Sequence, residues 1–363
     1  MKNTLRRFLG PKVKNWIRSK VSFEGYDIKE RQKMNPFFGD EPFTSYEDSP
    51  VKLGIIIDEF QYHKDYIAAC RDLRISYQLI DLASASWIEE ISVSNCDGFL
   101  VWPSARNSVV KTMFDDRLAF LVKEMGFKIF PELKECWIYE NKLRTAYWLK
   151  TNHVPHPQTD IFYREEDAIA FLKKCRYPIV FKSNLGATAS GVRILRERKA
   201  ALKLVKGIFR EGFLPRAHNK YDRQRGFIIF QEFLLNIKEW RLVRIGDNYF
   251  GYQKMQVGDF HSGSHEILLE RPSNKLLNFL KEVTDKGGFK SMDVDVFETD
   301  EGFLYVNELQ TVFGTGGLLK AAERMPEMNE RHFLENGQWK TEKGDFFRNG
   351  FCNIRVKELL KKI

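Results

Sequence analysis

The chain lacks any apolar run approaching the roughly 20 residues that cross a bilayer, so no membrane-spanning helix is expected. No continuous apolar stretch follows its N-terminal charges, which argues against a secretory signal. Cysteine is sparse. Cys70, Cys96, Cys136, Cys175 and Cys352 are scattered, odd in number and without a CxxC, which suits reduced core thiols rather than a disulfide framework or a zinc site. Neither GxxxxGK[ST] nor GxGxxG occurs, so the Walker loop and the dinucleotide fingerprint are excluded. Internal repeats and low-complexity tracts are missing as well. What remains is a cytoplasmic protein, and 363 residues at 43% hydrophobic content suffice for two or three domains.

Acids are also missing from residues 1–20, which hold seven lysines and arginines. Subtracting this +7 from the formal +9 leaves +2 for the rest, so the body carries no nucleic-acid footprint and no nucleic-acid partner is expected. Leu5, Phe8, Leu9, Val13, Trp16, Ile17 and Val21 recur at helical spacing, interrupted by Gly10-Pro11, so a kinked helix is expected. Two readings stay open. The apolar stripe docks on the protein itself, or residues 1–21 rest on anionic lipid at the inner face of the membrane. Prolines and glycines through residue 50 make 1–50 an arm and linker.

From Val51 the pattern changes. Val51–Ile57, Tyr77–Leu82, Gly98–Trp102 and Lys128–Phe130 are strand-like, with helical spacing over His63–Leu73 and Lys111–Met125. Strands alternating with helices predict a small parallel α/β domain over 51–132. Ligands meet such sheets at the C-terminal strand ends, which makes Asp58, Glu59 and the segment 102–106 acceptor-site candidates. Each is equally a turn or surface residue.

Two segments carry chemistry. Tyr177–Leu195 joins two apolar runs through Lys182 and the loop Gly186, Ala187, Thr188, Ala189, Ser190, Gly191. Small residues let backbone N–H groups close around an anion, and a lysine adds a point charge. Ser291–Glu298 and Phe303–Gln310 alternate polar and apolar around a turn-like Thr299–Gly302, predicting a hairpin. With Glu298 opposite Phe303, Asp293 would face Glu308, Ser291 would face Gln310, and Asp295 would lie diagonal to Glu308. Carboxylates crowded on one face need a cation, and hard oxygen donors suit Mg²⁺ shared with phosphates. Further on, Gly314–Gly317 opens a predicted helix, Leu318–Arg324, whose start suits an anion or is a tight turn.

In order along the chain, these features resemble the ATP-grasp superfamily, nearest to carboxylate–amine ligases such as D-alanine–D-alanine ligase and glutathione synthetase. The match runs from about Leu133 to Leu319 and implies an α/β fold, α+β in the nucleotide part, behind the parallel N-terminal domain. Its expected units are 51–132, a nucleotide- and metal-binding region over 133–330, and a tail over 331–363 with no assigned chemistry. By resemblance, Lys142 after Glu140-Asn141 and Lys182 bind ATP phosphates beneath the 186–191 lid. Gln231, Glu232, Phe233 and Leu234 form the adenine hinge, and Glu239 holds ribose. Asp295, Glu308 and Gln310 bind one or two Mg²⁺, with Mn²⁺ as a substitute. Gln310 stands where the family usually has asparagine, and His261, with Lys254 competing, stands in for the usual arginine before the substrate-binding strand. Arg241, His261 and Lys254 would steady the reacting carboxylate. The implied reaction joins a small-molecule carboxylate to an amine through an acyl phosphate, in a chain that is often a homodimer. A kinase of the same fold and a non-catalytic nucleotide-binding protein are the alternatives.

Overall fold

The computed structural model describes residues 41–186, 191–215, 222–256 and 267–363. The basic arm through residue 40, lid residues Ala187, Thr188, Ala189 and Ser190, and His261 therefore lie outside the described residues.

The first sheet holds β1 (Phe43–Thr44), β2 (Lys52–Ile56), β3 (Ser76–Ile80), β4 (Gly98–Leu100) and β5 (Lys128–Phe130) in the order β1-β3-β2-β4-β5. β2 to β5 are parallel, as the alternation with helices predicts, and short β1 pairs antiparallel on the edge. Helices α1 (His63–Asp72), α2 (Trp87–Ser94) and α3 (Ser108–Lys123) make the crossovers. Strands covered on both faces must be apolar almost throughout, and Leu53, Ile55, Ile56, Phe99 and Leu100 are wholly buried.

Two helices come next, α4 (Leu133–Ile138) and α5 (Lys142–Thr151). Between them Glu140 takes φ 50°, and the Asn141 side chain caps α5 by accepting from the Arg144 N–H at 3.0 Å. This break places Lys142 at the start of a helix instead of burying it in the middle of one.

A four-stranded antiparallel sheet follows. Its strands β6 (Thr159–Phe162), β7 (Ile179–Lys182), β8 (Val192–Leu195) and β9 (Ile228–Glu232) lie in the order β6-β9-β7-β8. Helices α6 (Glu165–Lys174) and α7 (Arg198–Arg210) cover it, packing Ala168, Leu172, Ala201, Val205 and Ile208 against Phe181 and Phe230.

The largest sheet is antiparallel. Strands β10 (Ile237–Ile245), β11 (Asn248–Lys254), β12 (Ile267–Leu268), β13 (Ser291–Thr299), β14 (Leu304–Gln310), β15 (Glu330–Glu335) and β16 (Gln338–Lys343) run β14-β13-β10-β11-β15-β16, with β12 also on β11. Helix α8 (Asn274–Gly287) covers one face over Trp240, Leu242, Val294, Val296 and Val306. Alternate residues point the other way, and there Val243, Ile245, Phe250 and Tyr252 share a core with Leu53 and Tyr66 of the first domain. Helix α9 (Gly316–Arg324) follows β14. Residues past 330 are part of the body: β15 and β16 extend the sheet, and α10 (Cys352–Leu360) contributes Cys352, Val356 and Leu359 to the shared core.

The β13–β14 hairpin forms, but its register corrects the expected one. Glu298 pairs with Leu304, not Phe303, and after Val296↔Val306 a bulge makes Asn307 the extra residue. Asp295 therefore lies directly opposite Glu308, and Asp293 opposite Gln310, while Ser291 gives its hydroxyl hydrogen to the Thr311 carbonyl at 3.0 Å. The slip and the bulge together shift the pairing by two, an even number, so the acidic side chains still share one face.

Candidate active site

Three elements converge at one end of that face. β7 ends in Lys182, whose Nζ donates to Asn307 Oδ1 at 2.6 Å. Lys142, in the first turn of α5, donates to the Gly186 carbonyl at 2.9 Å and pairs with Glu308 Oε1 at 3.0 Å. The loop after β7 is tied to α5: the Asn184 carbonyl accepts from Lys142 N–H at 3.2 Å, and Asn184 Oδ1 from Leu143 N–H at 2.9 Å. Two lysines from different sheets and helices thus reach the same strand.

The described residues flanking the small-residue loop are well defined. Gly186 takes φ 124°, a region that side chains strongly disfavour. At Gly191 a Cβ would stand 1.7 Å from Ser183 Oγ, so only glycine fits there. Ser183 bridges the base of the loop, its N–H donating to the Gly191 carbonyl at 2.9 Å and its hydroxyl to the Leu185 carbonyl at 2.7 Å.

Deeper in, Asp295 accepts two hydrogen bonds from Arg241, at 3.0 and 3.1 Å, and one from Lys254. Lys254 also donates to Glu239 at 2.9 Å. Register makes this possible, since β10 sets Arg241 against Asp295 and β11 sets Lys254 against Glu239. Burial works to raise the Asp295 carboxyl, but Arg241 and Lys254 overcome it and hold the group at about 2. Glu308 is likewise driven below its ordinary value: burial opposes this, and Lys142 and Lys182 prevail. Lys182 falls to about 8, because burial and neighbouring Lys142 outweigh the pull of Glu308. Burial lifts Asp293 well above the usual carboxylate range despite Arg241 beside it.

At the opposite edge, buried Gln231 donates to Thr159 Oγ1 at 3.1 Å, while the Glu232 side chain faces solvent. Half-buried Phe233 and Leu234 span the connection from β9 into β10, between the two sheets. Toward the first domain, Tyr62 stacks on Trp102 with centroids 4.5 Å apart, and the Tyr62 hydroxyl lies beside Gly314. Asp58 is anchored, accepting from the Phe60 and His63 N–H groups at 2.9 and 2.8 Å, and Glu59 pairs with Arg106 at 3.4 Å. Those contacts hold a turn together. The glycine segment 314–317 opens α9 as expected, two residues earlier than Leu318.

Three contributors were not singled out from the sequence. Asn307 reaches Lys182 only because the bulge turns it that way. Glu135, buried and pushed up to about 7 by that burial against three backbone N–H donors, fastens α4 to the start of β13 at Lys290 and Ser291. Arg355 of α10, fully buried, donates to the Gly350 carbonyl at 2.8 Å and reaches Ser291 Oγ at 3.4 Å beneath the same strand. A capping-box pattern at Glu132–Glu135 was the one available hint for the second.

Among the described residues no three His, Cys, Asp or Glu side chains already gather as a metal site, since Lys142, Arg241 and Lys254 stand between the carboxylates. The donor chemistry nevertheless fits a hard divalent cation. Asp295, Glu308 and Gln310 offer carboxylate and amide oxygens from neighbouring rungs of one strand pair, and Gln310 Oε1 is buried with no hydrogen-bond donor.

No protein-family model matches the chain. Alpha-aminoadipate–LysW ligase of Saccharolobus solfataricus is 34% identical over 64 residues, 18% of this chain and 23% of that protein. Phosphoribosylamine–glycine ligase of Clostridium acetobutylicum is 31% identical over 120 residues, 33% of this chain and 27% of that one. The matched segments thus span about a quarter of these relatives' lengths. Among solved structures, D-alanine–D-alanine ligase from Bacillus anthracis with ATP superposes at TM-score 0.56 and 14% identity, covering 86% of this chain and 98% of that one. A RimK-domain ATP-grasp protein from Sphaerobacter thermophilus reaches 0.54 at 16% identity, covering 74% and 95%. The chain has the ATP-grasp fold, and it resembles the carboxylate–amine ligases built on that fold.

Proposed function

We propose that the protein is an ATP- and Mg²⁺-dependent ligase that joins a small-molecule carboxylate to an amine through an acyl phosphate. The observation that carries this reading is the convergence of Lys142 and Lys182 on the Asn307–Glu308 rung, next to Asp295. Two lysines and two carboxylates at one strand end suit a polyphosphate and the divalent cation that accompanies it. In this reading Lys142 and Lys182 exchange their contacts with Glu308 and Asn307 for phosphate oxygens. Asp295, Glu308 and Gln310 would hold the cation, whose contribution is to neutralise charge on the transferring phosphoryl group. The Phe233–Leu234 connection, with Gln231 beside it, would take the adenine, and residues 186–191 would close over the phosphates to keep water from the intermediate.

Glu239 is assigned to ribose with Lys254 beside it. Arg241, held by Asp295 and packed over Phe313 at 5.0 Å, is assigned to the reacting carboxylate. The acceptor would enter between the sheet and the first domain, past Tyr62, Trp102 and the 314–317 turn. The names of the relatives, each a ligase for an amine or amino acid, support the same reaction class.

The test is ADP release with Mg²⁺ against a panel of amino acids, hydroxy acids and sugar acids, with hydroxylamine in place of the amine. A hydroxamate formed with ADP supports the acyl phosphate. ADP release without hydroxamate for any turned-over acid assigns the chain instead to simple phosphoryl transfer.

A further inference from the structure

The formal +2 that remains beyond the basic arm is a sum of opposites. Residues 159–232, which build the four-stranded sheet and its two helices, hold 16 lysines and arginines against 8 acids, a net +8. Subtracting that +8 from the +2 leaves −6 for the other residues beyond 20. Within the basic part the excess narrows further, since between Ala168 and Arg210 eleven lysines and arginines meet one acid, Glu197. Lys182 enters the candidate active site, and the other ten are exposed.

Helix α7 arranges part of this charge in a line. Lys199, Lys203, Lys206 and Arg210 recur at i, i+4, i+7 and i+11, which is one face of a helix, and Ala201, Val205 and Ile208 are buried on the other. At 1.5 Å per residue the line is about 16 Å long. Arg198, Lys199, Leu202, Lys203 and Lys206 border a shallow depression along it. Among the described residues no carboxylate comes within ion-pair distance of these five cations, whereas Arg164, at the start of α6, holds Asp167 at 2.7 Å. Like charges three and four residues apart weaken a helix, so an uncompensated row of them points to an anionic partner outside the chain. That partner is not the nucleotide. Phe181 packs toward α7, and its neighbour Lys182 points to the opposite side of β7, where it meets Asn307.

We infer that the outer face of α7 docks on the anionic headgroups of a lipid bilayer. A basic stripe on a helix that lies flat against its own sheet suits a charged plane, and the half-buried Leu202 and Phe209 flank it with apolar surface. Nucleic acid is the poorer fit, because bound bases stack on exposed rings and the one ring of α7, Phe209, is half-buried. Lysines outnumber arginines along the line, and lysine is a point charge rather than a fork shaped for one carboxylate. Stable attachment takes two signals, and the sequence holds a second: seven cations without an acid in residues 1–20, interleaved with Phe8 and Trp16. Docked through α7, the protein keeps Lys182 and the phosphate end of its site turned away from the lipid.

The probe is a pair of vesicle preparations, phosphatidylcholine alone and phosphatidylcholine mixed with phosphatidylglycerol, sedimented with the full chain at physiological salt. Wild type is expected to sediment with the mixed vesicles and to stay in solution with the neutral ones. Lys199→Gln, Lys203→Gln and Lys206→Gln combined keep helix propensity and should leave the melting temperature unchanged. Each charge near a lipid surface is worth about five-fold in affinity, so this variant, its arm intact, should bind the mixed vesicles at least about ten-fold more weakly. Lys199→Glu with Lys206→Glu should abolish binding, and carries the test should the first variant misfold. No binding of mixed vesicles by wild type, or equal affinity in the glutamine variant, overturns the inference, the second result giving any lipid contact to the arm. An RNA homopolymer bound more tightly than the vesicles, and released by the same substitutions, overturns it in favour of nucleic acid. A failed hydroxamate assay leaves vesicle binding untouched, and failed vesicle binding leaves the ligase reading untouched.

Discussion

Changing Asp295 to asparagine keeps the shape of the side chain and removes the charge that Arg241 and Lys254 share. The cost can be worked in two ways. The carboxyl sits at about 2 instead of 3.8, and that drop corresponds to roughly 2–3 kcal/mol of preferential stabilisation of the charged form. Removing one partner from a buried ion cluster costs about 3–5 kcal/mol when the other is left unpaired. Here the low end applies, because Lys254 retains Glu239 at 2.9 Å and Arg241 retains Asp293 at 2.9 Å. A loss of about 2–3 kcal/mol is a sizeable part of an ordinary folding free energy yet leaves the chain folded. For 363 residues each kcal/mol moves the melting temperature by about 1.3 °C, so it should fall by roughly 3–4 °C. Thermal melts and urea titrations of Asp295→Asn and wild type at neutral pH measure this directly. The depressed carboxyl contributes its stabilisation above pH 3.8 and loses it as pH falls toward 2, so the gap between the two proteins should narrow across that window. ADP release should fall to background at the same time. A variant that melts with wild type at pH 7 would refute the ion cluster, whatever its activity.

Two further outcomes are expected. Lys182 titrates near 8 in the nucleotide-free protein, so ADP affinity measured by calorimetry should decline as pH rises through about 8, and Lys182→Arg should remove that decline. The same depression means the unfolded chain holds the extra proton between about 8 and 10.5, so this group adds stability as pH rises across that interval; a flat affinity profile in wild type would exclude Lys182 from phosphate binding. Gly191→Ala should cost about 1–3 kcal/mol through the overlap with Ser183 Oγ and weaken nucleotide binding. Adding Ser183→Gly should restore much of the melting temperature, and an unaffected single variant would show that the loop posts do not meet as described.

The first domain was legible because its strands are apolar throughout and its helices keep their spacing. Lys182 stood out because small residues following a strand-ending lysine are unusual in an ordinary turn, whereas Lys142 came only from the resemblance. The hairpin was legible, but its pairing was not, since the bulge at Asn307 carries no glycine or proline to announce it. Parity protected the conclusion: two errors of one residue left Asp293, Asp295, Glu308 and Gln310 on a common face. Contacts of long sequence separation stayed hidden, as with Glu135 fastening β13 and Arg355 reaching Ser291, because nothing local marks a buried charge whose partners lie far along the chain.

Helix α10 lies against β4 and β5 and closes a core begun by Leu53 and Ile55. On the ribosome those strands emerge early, while the residues that seal them are translated only after both later sheets. The first domain must therefore wait, incompletely covered, through synthesis of both of them.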